Sequence, residues 1–408
     1  MKRYQWMGIM LSLVLLLCSC STDKEVEKKA GESTSIPSAT ASVTPLISED
    51  EAFSEAEKIV KTMTIEQKVG QMFLVDLLQL DASPSVDGTA YKATDSMKQA
   101  IIDYHLGGVY LTKENIKSQK QTKKLVQNLQ ASVVSGSALY VAVEEDGGGE
   151  NSISAKVEDL KDTGYVTPKE MGQNMTANQI YESGKTIAGE LTKIGINLNL
   201  APVADLASDQ NPSYAMRCLG SDADGVADLL DDFVSGMREG GLSVTLKTFP
   251  GIGNVSADVT ESIAENTDSL MTIRDTNFVP YASGIQAGAD CVMVSNAAYS
   301  KLTVKKVPAF MSQDIVTKLL REELGFDGIV MTSPLNDNVI ENNYTNEFAV
   351  VEAVKAGCDL IVLPGNFKEC YEALITAVEE GRIDEKVINT SVRRILQNKI
   401  QRGILVLE

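Results

Sequence analysis

Short apolar runs alternate with longer segments of helical periodicity along most of this chain. The runs are rich in Val, Ile and Leu and are bounded by Gly, Pro or Asp, which is typical of buried strands. The predicted strands cover residues 70–74, 107–111, 138–144, 197–204, 243–249, 290–295, 328–332 and 359–363. Because the runs are almost continuously apolar, they indicate a parallel sheet that is covered on both faces.

The segments between these runs predict amphipathic helices. The predicted helices cover residues 51–63, 113–132, 177–194, 225–240, 312–324, 346–356 and 384–400. The sequence T-I-E-Q at residues 64–67 predicts the capped start of a further short helix. Strands that alternate with helices in this way predict an α/β protein with a (β/α)8, TIM-like barrel as a single domain over residues 51–408. A doubly wound open sheet is the alternative, although no G-x-G-x-x-G motif follows the first strand.

The first 50 residues have the pattern of an export signal followed by a tether. Lys2 and Arg3 precede an apolar stretch at residues 7–17. That stretch is shorter than the roughly 20 residues that a membrane-spanning helix needs. The sequence L-C-S-C at residues 17–20 resembles the lipobox of bacterial lipoproteins, which predicts a signal peptide over 1–20 and lipidation of Cys20; an ordinary secretory signal is the alternative. Residues 21–50 are rich in Ser, Thr, Lys, Glu and Pro and predict a disordered tether, so we expect an extracytoplasmic protein that is lipid-anchored to the bacterial cell membrane.

Composition and cysteine spacing exclude several partners. The chain has 37 Lys and Arg residues against 56 Asp and Glu residues, and its net charge of −19 argues against nucleic acid as a partner. Beyond the lipobox, the cysteines match no zinc or redox spacing. Cys291 and Cys358 are predicted to be buried core residues, and a Cys358–Cys370 disulfide stays open at this point.

The loop after the fifth predicted strand contains two short sequence motifs. It reads L-K-T-F-P-G-I-G at residues 246–253, and D-V-T follows at residues 258–260. It resembles the K-H-F-P-G-H-G and D-S-H segments of family 3 glycoside hydrolases, the group that includes β-N-acetylglucosaminidases. The resemblance implies that Lys247 contacts a sugar and that Thr260 replaces the acid/base His. Asp258 keeps the place of the supporting carboxylate, with an ion pair to Lys247 as its expected alternative role. Thr248 replaces a second His and is predicted to contact the ligand, since its hydroxyl can still donate one hydrogen bond.

Two further strand ends are similar to the same family. The sequences G-I-N-L-N-L-A-P-V-A-D at residues 195–205 and R-C-L-G-S-D at residues 217–222 match G-I-N-x-N-x-A-P-V-x-D and R-S-F-G-x-D. Arg217 falls on a sugar-contacting arginine, with an ion pair to Asp205 or Asp222 as the structural alternative. The sequence E-E-D-G-G-G at residues 144–149 is similar to D-x-E-G-G-R, in which the first acid holds sugar hydroxyls, although Gly149 replaces the arginine. The resemblance implies that Glu144 and Asp146 bind a sugar, and acids at a barrel mouth could also bind a cation. A solvated acidic turn is the alternative.

The seventh strand end lacks the residue that the family uses as nucleophile. G-F-D-G-I-V-M-T-S-P-L at residues 325–335 is similar to G-F-x-G-x-V-x-T-D-x-L, and Ser333 occupies the position of the nucleophilic Asp. A neutral Ser cannot do the work of that carboxylate, and losses of this kind cost on the order of 10⁴-fold in rate. The single His, His105, precedes the second strand, which is the wrong end of a barrel for catalysis. The acids that an enzyme with relocated carboxyls would use are Glu144, Asp146, Glu261 and Asp337.

These residues favour a catalytically degenerate protein that binds an amino sugar or a peptidoglycan-derived carbohydrate, with no metal and no cofactor implied by the resemblance. A protein-docking scaffold is the alternative, and an active β-N-acetylhexosaminidase with relocated acids is the second. A binding site predicts that Arg217 and Lys247 converge on an open cleft with Glu144 or Asp146. A scaffold predicts a filled barrel mouth, with Thr248 and Thr260 packed by neighbours such as Ile252. Nothing in the sequence indicates an oligomeric state.

Overall fold

The computed structural model describes residues 47–85, 88–133, 138–146, 154, 166–255 and 257–407. Cys20, the predicted signal peptide, nearly all of the predicted tether and residues 147–149 lie outside these ranges. The described residues belong to one compact unit. None of the helices in these ranges is long and apolar enough to cross a membrane.

A barrel of parallel strands forms the centre of this unit. The strands are Phe73–Asp76 (β1), Gly108–Tyr110 (β2), Tyr140–Val143 (β3), Leu198–Asn199 (β4), Ser243–Phe249 (β5), Glu265–Asn266 (β6), Cys291–Val294 (β7), Ala298–Tyr299 (β8), Ile329–Thr332 (β9) and Ile361–Val362 (β10). Eight of them pair in the order β10-β1-β2-β3-β4-β5-β7-β9, and β6 pairs with β8 in a separate ribbon. The ring closes between β9 and β10, where Met331 bridges to Leu360 and the Thr332 amide donates to the Leu360 carbonyl at 3.1 Å. The predicted (β/α)8 fold is confirmed.

The first strand begins three residues later than predicted. The capping box at Thr64 starts a helix that continues to Gln71, so the predicted residues 70–74 are partly helical. The Thr64 amide donates to the Gln67 Oε1 atom at 2.9 Å, and the Gln67 amide donates to the Thr64 hydroxyl at 3.4 Å. The predicted cap is therefore confirmed, and it displaces the strand.

Helices surround the barrel and connect its strands. They are Glu49–Thr62 (α1), Ile65–Gln71 (α2), Leu77–Leu80 (α3), Asp95–Asp103 (α4), Gln119–Gln130 (α5), Pro168–Asn174 (α6), Ala177–Lys193 (α7), Ala223–Glu239 (α8), Leu270–Asp275 (α9), Phe278–Gln286 (α10), Asn338–Glu341 (α11), Asn346–Ala356 (α12), Phe367–Glu379 (α13) and Glu385–Gln401 (α14). The predicted helix 113–132 is interrupted, because Thr112 caps a separate 3-10 turn and Ser118 caps α5. The predicted helix 312–324 has π-helical geometry over Asp314–Glu323.

The helices α7 and α8, which precede and follow β4 in the chain, are in backbone contact with each other. A Cβ atom at Gly236 would lie 2.1 Å from the Tyr181 carbonyl oxygen, and one at Gly184 would lie 2.6 Å from the Phe233 carbonyl oxygen. Glycine at both positions therefore permits a helix separation that no side chain would allow. This contact fixes the helices before and after β4, whose carboxyl-terminal loop carries Arg217.

Lys399 is fully buried at the amino-terminal end of the barrel. Its Nζ atom donates to the Gln71 Oε1 atom and to the Gly107 carbonyl, each at 2.8 Å, and lies 4.8 Å from the centroid of the Tyr140 ring. Burial lowers the pKa of Lys399 to about 7. The side chain thus joins α14 to α2, β2 and β3.

We expect the buried Lys399 to make stability depend on pH above neutrality. An unfolded lysine keeps its proton up to about pH 10.4, whereas folded Lys399 loses it near pH 7. Between these values the unfolded state binds more protons, so the contribution of Lys399 to the free energy of unfolding rises with pH. Urea unfolding at several pH values should show wild type gaining about 1 kcal/mol per pH unit relative to Lys399→Met. A difference that stays constant from pH 7 to about pH 10 would contradict the lowered pKa.

Candidate functional site

A cavity of about 510 Å³ opens at the carboxyl-terminal ends of the barrel strands. Loops after β3, β4, β5, β7 and β9 supply its walls. The sequence-predicted positions that border it are Glu144, Arg217, Lys247, Thr248, Asp258, Thr260, Ser333 and Asp337. The barrel mouth is therefore open, as a binding site requires. Ile252, which the scaffold alternative expects to fill the mouth, borders the cavity as well.

Four side chains form a compact charge cluster on one wall: Glu144, Asp146, Arg217 and Lys247. The Lys247 Nζ atom lies 2.5 Å from the Glu144 Oε1 atom and 3.4 Å from the Asp146 Oδ2 atom. The Arg217 Nε and Nη2 atoms donate to the Asp146 Oδ2 atom at 2.9 and 2.6 Å, and Nη2 also donates to Glu144. Each cation therefore bridges both carboxylates, and Arg217 and Lys247 meet as predicted for a binding cleft.

The charge cluster is held largely away from water. Lys247 is 3% exposed and Asp146 is 2% exposed, whereas the Glu144 side chain is 36% exposed toward the cavity. Burial alone would raise the pKa of Glu144, but Lys247 and Arg217 outweigh it and lower that pKa to about 2. Burial opposes the charge of Arg217 as well, but Asp146 and Glu144 raise its pKa above the usual range. Glu144 and Arg217 therefore stay charged at neutral pH.

Two expected ion pairs are absent from the described residues. Lys247 pairs with Glu144 and Asp146 instead of Asp258. Arg217 does not pair with Asp205 or Asp222. Asp222 instead caps α8 by accepting from the Gly225 amide at 2.9 Å.

Asp205 organises the loop that carries Lys247 and Thr248. Its carboxylate is fully buried and accepts from the Tyr214 and Tyr281 hydroxyls, each at 2.9 Å, and from the Thr248 hydroxyl at 3.0 Å. The backbone amides of Thr248 and Ile252 donate to it at 3.2 and 3.1 Å. Burial raises the pKa of Asp205, and these hydrogen bonds oppose the rise. The Thr248 hydroxyl is thus committed to the loop, although Thr248 borders the cavity.

Thr260 and Asp258 lie over the cavity in a fixed loop. The Thr260 hydroxyl and amide donate to the Asp258 Oδ1 atom at 2.7 and 2.9 Å. The Thr260 carbonyl accepts from the Val339 amide at 2.7 Å, which attaches the loop to α11. Ser333 borders the same cavity and is 4% exposed. The two positions where the family resemblance implies catalytic residues therefore border one cavity but carry only hydroxyl groups.

Asp337 borders this cavity as a carboxyl group whose pKa is raised, in contrast to that of Glu144. The Asn296 Nδ2 atom donates to its Oδ2 atom at 2.7 Å. Burial, and after it the negative charges of Asp258, Glu144 and Glu261, raise the pKa of Asp337 to about 7 against this hydrogen bond. Glu261 itself does not border the cavity, and both of its carboxylate oxygens accept from Asn338.

Three residues at the site were not assigned from sequence: Asn296, Tyr214 and Tyr110. Asn296 directly follows the predicted strand 290–295, so inspection of that strand end would have found it. Tyr214 lies three residues before Arg217, whose guanidinium carbon is 5.5 Å from the centroid of its ring. Tyr110 ends β2 and borders the cavity.

The remaining candidate residues, the single His and the cysteines of the described ranges, do not border this cavity. His105 lies between α4 and β2, at the amino-terminal end of that strand as predicted. Cys218, Cys291, Cys358 and Cys370 are buried free thiols, so the Cys358–Cys370 disulfide left open by the sequence is not formed. Within the described ranges, no three His, Cys, Asp or Glu side chains are grouped so as to hold a metal ion.

The comparisons with known proteins agree on one family. A family model described as "Glycosyl hydrolase family 3 N terminal domain" matches residues 64–398. A β-hexosaminidase A from Pseudoalteromonas piscicida is 26% identical over 369 residues, which cover 83% of this chain and 61% of that protein. A family 3 β-N-acetylglucosaminidase structure from Paenibacillus sp. is 29% identical with a TM-score of 0.75, over 85% of this chain and 64% of that one. A β-N-acetylhexosaminidase structure from Beutenbergia cavernae is 29% identical with a TM-score of 0.72, over 83% of this chain and 98% of that one. The chain thus spans less than two thirds of the length of the first two.

Proposed function

The chain belongs to glycoside hydrolase family 3, and we propose that it binds an amino sugar or a peptidoglycan-derived carbohydrate without hydrolysing it by the family's mechanism. The observation that carries this proposal is that Arg217 and Lys247 border the same open cavity as Ser333 and Thr260. The first pair supplies donors for hydroxyl oxygens, and the second pair replaces the nucleophile and the acid/base with hydroxyl groups.

The charge cluster supports a polar ligand of this kind. Arg217 offers a planar set of donors, and Glu144 offers acceptor oxygens where it faces the cavity. A sugar hydroxyl both donates and accepts, so it can bind between such groups without leaving either sign of charge unpaired. The relatives named as hexosaminidases support an amino sugar as the ligand class.

We also propose that the protein acts outside the cytoplasm, anchored by a lipid at Cys20. This part rests on the lipobox-like sequence L-C-S-C and on the composition of residues 21–50. Mass spectrometry of the membrane fraction should detect a lipidated peptide that starts at Cys20 and is lost in Cys20→Ala.

A second candidate function is hydrolysis with a relocated acid. It is favoured by one observation: Asp337 borders the cavity, and its pKa is raised to about 7, where a general acid operates efficiently. The test is whether wild type releases nitrophenol from a chromogenic N-acetyl-β-glucosaminide and whether Asp337→Asn abolishes this release. Both results together would establish this alternative and contradict the non-hydrolytic proposal.

The direct test is isothermal titration calorimetry of the full chain in detergent micelles with N-acetylglucosamine, glucosamine and glucose. We expect saturable binding of at least one amino sugar and weaker binding of glucose. Failure of both amino sugars to bind would contradict the proposed function.

A further inference from the structure

The two cations of the cavity are already neutralised by the protein. Arg217 and Lys247 bridge Glu144 and Asp146, so the charge cluster holds two positive and two negative groups. A ligand therefore meets no free positive charge on this wall. The net charge of the cavity is set by the groups on its other walls.

Those other walls carry negative charge. Asp258, on the loop after β5, and Asp337, on the loop after β9, border the same cavity. Among the described residues, Asp258 accepts from the Thr260 hydroxyl and amide and Asp337 accepts from Asn296, all of them neutral donors. Burial is the largest cause of the raised pKa of Asp337, and the negative charge of Asp258 is the next. Glu144, at the end of β3, and Glu261 act on Asp337 in the same sense. Two acids that repel one another across a cavity provide a driving force for binding a cation.

Asn296 adds an acceptor that has no donor. It is 1% exposed, follows β7 in the chain, borders the cavity and contacts Asp337. Its Nδ2 atom is used by Asp337, but its Oδ1 atom is buried and has no hydrogen-bond partner among the described residues. Buried acceptors of this kind are rarely left unpaired, because each costs about 1–3 kcal/mol. This wall is thus rich in acceptors and lacks a charged donor.

On the basis of the proposed function, we propose that the ligand is an amino sugar with a free, protonated amine, and that this amine lies against Asp337 and Asp258 beside Asn296. An ammonium group carries three donors, no acceptor and one positive charge, which matches what this wall lacks. An acetamide offers one neutral donor and a carbonyl oxygen, which two carboxylates would repel. The sugar hydroxyls then bind to the charge cluster, which borders the same cavity through Glu144, Arg217 and Lys247.

The pH dependence follows from the same groups. The ammonium ion binds the deprotonated form of Asp337, so affinity for the amine is expected to fall as pH drops through 7. The charged groups that act on Asp337 are Asp258, Glu144 and Glu261, and Asn296 contributes its amide hydrogen bond. Binding of an acetamide sugar should vary much less over this range.

The test compares glucosamine with N-acetylglucosamine by isothermal titration calorimetry on the full chain. At pH 7 we expect glucosamine to bind at least tenfold more tightly, as one partly screened ion pair would provide. Asp337→Asn should reduce this preference to about threefold or less, since the amide keeps the shape and the hydrogen bond from Asn296 but not the charge. Asp314→Asn, which removes a carboxylate from the exposed ion pair with Lys318 away from the cavity, should leave the preference unchanged.

The outcomes separate this inference from the proposed function. Binding of N-acetylglucosamine as tight as that of glucosamine would overturn the inference and leave the proposed function intact. Binding of neither sugar would overturn both. A preference for glucosamine that survives Asp337→Asn and Asp258→Asn in folded protein would also overturn it, because the charge would then come from elsewhere.

Discussion

Replacing Lys247 with Met is expected to weaken sugar binding by at least 100-fold and to lower the free energy of unfolding by about 3 kcal/mol. Lys247 is 3% exposed and lies between Glu144 and Asp146, so its removal leaves two carboxylates facing one another with Arg217 as their only cation. Breaking a buried pair in this way usually costs about 3–5 kcal/mol, and the partial exposure of Glu144 places the expected value at the lower end.

Solution pH provides the internal check on this Lys247 prediction. Lys247 and Arg217 lower the pKa of Glu144 to about 2, below its unfolded value of about 4.3. A carboxyl group with a lowered folded pKa stabilises the protein above the unfolded pKa, and this contribution is lost as pH falls toward 2. The stability difference between wild type and Lys247→Met should therefore be largest at neutral pH and should shrink below pH 4.

Urea unfolding and calorimetric titration measure the two effects separately. Lys185→Met is the matched control, because it removes a lysine from a partly exposed ion pair with Glu239, and its cost should be much smaller than that of Lys247→Met. If Lys247→Met binds amino sugars as wild type does, Lys247 serves only the fold, and the carbohydrate site does not include the charge cluster.

The sequence predicted which loops meet at the site, because this follows from the order of the strands in a parallel barrel. The carboxyl ends of parallel barrel strands share one face, so Arg217 after the fourth strand and Lys247 on the fifth had to approach one another. Ser333 and Thr260 border the same cavity for the same reason. The polar residues that directly follow the predicted strands can therefore be predicted as site residues from the sequence, and Asn296 is one of them.

Partner choice within the cluster was not predictable in the same way. Lys247 pairs with Glu144 and Asp146 instead of Asp258, and this choice depends on where the loops place each carboxylate, which no spacing rule resolves. The raised pKa of Asp337 depends on burial and on three acids from two loops, those after β3 and β5. Residues 70–72 were misassigned because local helix capping at Thr64 prevailed over an apolar run that also fits a strand.

The final prediction concerns the restoration of hydrolysis by substitutions at positions 260 and 333. Wild type is expected to hydrolyse a chromogenic N-acetyl-β-glucosaminide at background rate, and the double variant Thr260→His with Ser333→Asp is expected to exceed it by at least 100-fold, part of the roughly 10⁴-fold that such residues supply. The backbone is in place for both changes. Thr260 already donates to Asp258 at 2.7 Å, as an imidazole nitrogen would, and the Ser333 amide is fixed by its hydrogen bond to the Val294 carbonyl at 2.9 Å.

The single variants test whether the two positions act as a unit. A nucleophile without an acid, or an acid without a nucleophile, leaves one half of the reaction unsupported, so each single variant should stay near background. Thr260→His with Ser333→Asn is the matched control, since it keeps the side-chain volume at 333 and removes only the charge. Hydrolysis by the first double variant and not by this control would locate the loss of activity in two side chains on an otherwise competent barrel. A folded, sugar-binding double variant at background rate would mean instead that the loops around the cavity, and not only positions 260 and 333, have departed from the geometry that hydrolysis requires.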